Sequence, residues 1–80
     1  MNDTKIRLQA KRVIEERMGL KVSNTDIVLL EASETEGFVT DILFYRLGYN
    51  NLHYSARYVD YKKAWELTII NMRTHEEMGV

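Results

Sequence analysis

The sequence predicts an α+β fold, an N-terminal helix packed on a four-stranded antiparallel meander. Two observations carry it. Apolar residues recur at helical spacing between Asp3 and Gly19. From about residue 26 onward the spacing changes to alternation, punctuated by segments rich in Gly, Asn and Ser.

The helix is expected over 4–18. Asp3 or Thr4 serves as its N-cap. Ile6, Ala10, Val13 and Arg17 fall on one stripe with Ile14 and Met18 beside it, and Gly19 stands where a C′ residue ends a helix. Lys21 to Thr25 reads as a polar connection. The first strand, 26–32, is rich in β-branched and aliphatic residues. Ser33 to Gly37 then reads as a polar hairpin loop longer than two residues.

The second strand, 38–47, alternates Phe38, Thr40, Ile42 and Phe44 with Val39, Asp41, Leu43 and Tyr45. Gly48-Tyr49-Asn50-Asn51 is a turn. The third strand, 52–59, sets Leu52, Tyr54, Ala56 and Tyr58 against His53, Ser55, Arg57 and Val59. The last segment, 64–72, fits either period, but Thr68-Ile69-Ile70 packs better in a sheet. The alternative is a closing helix capped by Asp60. It gives α-β-β-β-α, the element order of double-stranded-RNA-binding domains. The Gly-rich third strand and alanine-rich closing helix of those domains are missing here. Thr74 to Gly79 reads as one short helical turn.

Eighty residues make one domain, 1–80. A chain this short buries only about 60% of its unfolded surface, which leaves little room for a deep cofactor pocket. With no cysteine there is no disulfide, no thiolate nucleophile and no Cys-ligated zinc. No cofactor is expected. The N-terminus lacks the apolar core of a secretory signal, and the longest aliphatic run, Ile27 to Leu30, is four residues. A cytoplasmic protein that does not enter a membrane is expected. Its size and balanced charge suit an accessory protein of a phage or mobile element.

The formal net charge of −1 hides segregation. Residues 1–21 carry a net +3, residues 22–45 a net −5 and residues 46–80 a net +1. Segregated charge steers partners within about a Debye length of ~8 Å.

One sheet face is expected to pack on the helix through Ile42, Phe44, Tyr54, Ala56, Trp65, Leu67 and Ile69. The other face still carries Val39, Leu43, Tyr45, Val59, Ile70 and Met72, which is too apolar for a solvated surface. These six form a candidate interface for a second copy or another protein. Glu31, Glu34, Glu36 and Asp41 form a candidate acidic recognition surface around the first hairpin. The EF-hand spacing of acidic residues is absent from it.

Catalytic constellations are weak. His53 shares a strand face with Ser55 and Arg57, and Asp41 is the nearest carboxylate, but no Gly-rich loop supplies an oxyanion hole. His75-Glu76-Glu77 lacks the second His of a zinc helix, since Gly79 stands there. The expected function is therefore non-enzymatic: a small protein-interaction or regulatory module acting through the apolar face and acidic hairpin. The alternative is a nucleic-acid-binding domain using Lys5, Arg7, Lys11 and Arg12, a use disfavoured by the pI of about 6.1.

Overall fold

A computed structural model of the chain describes residues 3–80. Helix α1 (Asp3–Met18) is followed by β1 (Ile27–Thr35), β2 (Phe38–Arg46), β3 (Leu52–Val59), β4 (Ala64–Asn71) and β5 (Glu77–Gly79). The five strands lie in chain order in one antiparallel sheet. The α+β architecture is the expected one, with one strand more.

Helix α1 buries Ile6, Ala10, Val13 and Ile14. It ends where Gly19, at φ +69°, donates its N–H to the Glu15 carbonyl at 2.9 Å. The Glu15 carboxylate accepts the Val22 N–H at 3.2 Å and helps hold the connection on the core, where Val22 is buried. Asn24–Asp26 forms a 3-10 turn capped by Ser23, so β1 starts at Ile27 instead of Asp26.

The covered sheet face contributes Ile27, Ile42, Phe44, Tyr54, Ala56 and Leu67 to the core. Leu29, Ala32, Trp65 and Ile69 pack against it. All seven residues expected on the inner face are there. Residues 64–71 of the expected 64–72 form a strand, paired along β3 from Ala64 opposite Val59 to Asn71 opposite Leu52.

Three expectations change. The first hairpin has a two-residue turn, Glu36-Gly37, with φ +52° and +83°. Two positive φ values match the twist of the flanking strands, so pairing continues to Thr35 opposite Phe38. The tail is not a helical turn. Asn71 Oδ1 accepts the Arg73 and Thr74 N–H groups and turns the chain back. Glu77–Gly79 then pairs with Thr68–Ile70, and the Arg17 guanidinium donates to the Val80 carbonyl at 3.0 Å.

The third change concerns Val39. The β1–β2 register slips twice, leaving Leu30 of β1 and Thr40 of β2 without a register partner. An extra residue inverts the alternation beyond it. Val39 therefore lies on the helix side, packed against the core, and not on the open face.

Candidate functional site

Helix α1 covers one side of the sheet, and no described element packs over the other. Register shows what that open face presents. Val28, Tyr45, His53, Ile70 and Glu77 form one row across all five strands. Glu31, Leu43, Ser55 and Thr68 form the next, and Ser33, Asp41, Arg57 and Glu66 a third.

The first two rows form the apolar centre. The Tyr45 and His53 rings stack with centroids 5.7 Å apart at 18°. Val28 and Ile70 flank that pair. Leu43 stands beside the small polar Ser55 and Thr68, which leaves it laterally uncovered. All of these side chains except Glu31 and Glu77 are half-buried by their neighbours.

The third row is a charged rim. Arg57 Nε lies 3.4 Å from Asp41 Oδ1, and the Thr40 hydroxyl donates to Asp41 Oδ2 at 3.1 Å. Lys62 Nζ donates to Glu66 Oε2 at 2.8 Å. That bond holds the Glu66 carboxyl below its ordinary value and raises the Lys62 ammonium above its own. Both groups are solvent-exposed, so the pair orders the rim more than it stabilises the fold.

Of the six residues expected at the interface, Leu43, Tyr45 and Ile70 meet in this centre. Val59 pairs with Ala64 on the same face, but beyond the charged row. Met72 lies past the end of β4, in the turn after it. Val39 faces the helix. Val28 was missed because the unbroken run Ile27 to Leu30 shows no alternation. Its position follows only from its pairing with Tyr45.

The acidic residues do not form one surface. Glu31 and Asp41 border the open face, Glu34 pairs with the helix-side Val39, and Glu36 occupies the hairpin tip. The basic helix residues divide too. Lys5 and Arg12 flank a shallow depression with Leu8, Gln9 and Val39, whereas Arg7 lies on the opposite flank against β1. Lys11 follows Arg7 by one helical turn and lies on its flank.

His53 is engaged with Tyr45, and Asp41 with Arg57, so Ser55, His53 and Asp41 do not form a relay. Among the described residues, no three His, Asp or Glu side chains converge as a metal site. The aromatic rings largely pack on one another: Phe44 stacks on Tyr54 and Tyr58 meets Trp65 edge-on. No described helix is long and apolar enough to cross a membrane.

No protein-family model, curated protein or solved structure matches the chain.

Proposed function

We propose that the protein is a small non-enzymatic interaction module that pairs with a second copy of itself through the open sheet face. The observation that carries this reading is the apolar centre of Val28, Leu43, Tyr45 and Ile70, which no described element covers. Removing such a patch from water contributes about 25 cal/mol for each Å² of apolar surface. A small domain has little burial of its own and gains proportionately more from a partner.

The rim supports self-pairing. Asp41, Arg57 and Glu66 alternate in sign across three strands. A two-fold axis parallel to the strands and between β2 and β3 sets Asp41 of each copy against Arg57 of the other, one arrangement an isologous interface allows. The nucleic-acid reading is weaker, because the four basic helix residues lie on two flanks and do not form one stripe along a phosphate backbone.

Light scattering coupled to size exclusion tests the proposal. The wild-type chain at micromolar concentration is expected to elute as a dimer, and Leu43→Glu and Ile70→Glu as folded monomers. A wild-type monomer at that concentration overturns self-pairing. A dimer indifferent to both substitutions moves the interface elsewhere.

A further inference from the structure

The two edges of the sheet are unlike. At one, β5 is a three-residue strand of exposed residues. At the other, β1 is nine residues long and, among the described residues, has no strand on its outer side. Leu47 N–H donates to the Asp26 carbonyl at 2.9 Å, one step outside the Ile27–Arg46 pair. That is the bonding around a non-hydrogen-bonded antiparallel pair. The Ile27 N–H and C=O therefore point away from β2; the N–H is taken by the Asn24 carbonyl of the preceding turn, and the C=O faces the open edge. Leu29, two residues on and opposite Phe44, repeats this orientation.

The far half of β1 is guarded as edge strands usually are. Leu30 bulges, and Glu31 and Glu34 follow. The near half, Ile27 to Leu29, carries no charge, proline or bulge. Alongside it runs an open cleft of about 530 Å³ between α1 and β1, bounded by Thr4 and Arg7 of the helix, the Asn24-Thr25 turn and the strand from Ile27 through Val28 to Leu29. A second hollow of about 200 Å³ continues along the strand beside Asp3, Ile6 and Glu31.

The groove is polarised. Arg7 stands at the Ile27 end, and Asp3 and Glu31 at the other. Among the described residues Arg7 forms no salt bridge or side-chain hydrogen bond. A strand edge with the Ile27 C=O and the Leu29 N–H and C=O turned outward, a trough of mixed lining floored by Ile27 and Leu29, and a cation at one end match the requirements of strand addition.

We infer that this groove binds an extended peptide segment of a partner protein, which adds a sixth strand beside β1 and sets a carboxylate against Arg7. The peptide's backbone pairs with the Ile27 C=O and with the N–H and C=O of Leu29. Alternate side chains enter the trough between α1 and β1, and these are apolar. The segment spans about five residues, because the Leu30 bulge ends regular pairing. This site meets the open face only at Val28, so a peptide along the edge and a second copy on the face occupy the protein together.

A random heptapeptide library displayed on phage, panned against the immobilised full chain, supplies the probes. Enriched peptides are synthesised with a fluorescein label and titrated by anisotropy. The expected binders alternate apolar residues and carry an acidic group. Arg7→Gln and Arg7→Glu, checked for fold by circular dichroism, weaken them about tenfold or more, the effect of losing a charge-assisted hydrogen bond. N-methylation of the peptide at alternate positions abolishes binding, and at the intervening positions it does not. The proposal is overturned if no peptide enriches above a blank surface, or if binding ignores both Arg7 and N-methylation. Loss of binding in Leu43→Glu places the peptide on the open face and overturns it equally. A wild-type dimer that the peptide dissociates makes a second copy the occupant of the edge.

Discussion

Phe44 and Tyr54 stack across β2 and β3 with ring centroids 5.3 Å apart and planes at 20°. They are the two largest fully buried side chains and lie beneath the helix. The chain has no disulfide, so this pair and the aliphatic residues around it supply much of the cohesion.

Phe44→Ala is expected to lower unfolding free energy by about 3–5 kcal/mol, the cost of a large buried ring and its cavity. Small domains hold only about 5–15 kcal/mol in total. Tyr45→Ala, one residue along on the open face, is expected to cost about 1 kcal/mol in the monomer. Urea titration of both variants checks the contrast, and equal losses contradict the assignment of faces.

Val39 and Leu43 give a second contrast. On the alternation of the sequence alone they share a face. In the structure Val39 packs under α1 and Leu43 does not. Val39→Ala is therefore expected to destabilise the fold by about 1–2 kcal/mol, since it removes methyl groups packed against the core. Leu43→Asp affects self-association instead. Thermal melts beside light scattering separate the two outcomes.

The first hairpin turn carries a residue that its conformation does not favour. Glu36 sits at φ +52°, a region that Asn tolerates better than Glu. Glu36→Asn is expected to raise stability by a few tenths of a kcal/mol. Gly37→Val, at φ +83°, lowers it by about 1–2 kcal/mol. Both shifts are readable as changes in the urea midpoint with an unchanged slope.

The Lys62–Glu66 pair has a pH signature. The Glu66 carboxyl is lowered, mainly by its hydrogen bond to Lys62. Its contribution is fully present above the unfolded-state carboxyl value and is lost as pH falls through the lowered folded value. The Lys62 ammonium is raised by the same bond. Its contribution is present below the unfolded-state amine value and is lost as pH rises through the raised folded value. Between those limits the pair is insensitive to pH. Side-chain NMR titration is expected to show Glu66 ionising below an ordinary glutamate. Lys62→Met returns it to the ordinary range, and high salt diminishes the shift.

Individual residues show how far the sequence was legible. Ile6, Ala10, Val13 and Ile14 repeat with the helix period because only one side of α1 is covered. Ile42 and Phe44 alternate with Leu43 and Tyr45 for the analogous reason in β2. Val28 gave no such signal, being one of four consecutive aliphatic residues. The fifth strand gave none either, since Glu77-Met78-Gly79 is too short to display a period.

The sequence by itself determined the helix, the order of the four long strands and the β2–β4 residues Ile42, Phe44, Tyr54, Ala56, Trp65, Leu67 and Ile69 beneath α1. Periodicity along the chain records which side of an element is withdrawn from water, and that record is local. Only the tertiary structure decided that Val39 turns inward, that the acidic and basic clusters divide, and that the Ile27 carbonyl faces an open edge beside Arg7. Each of these depends on pairing between residues distant in the chain. One extra residue in a ladder reverses a face without altering composition or pattern. The near-continuous apolar run Ile27 to Leu30 therefore serves both as a core strand and, by the present proposal, as the rim of a peptide groove.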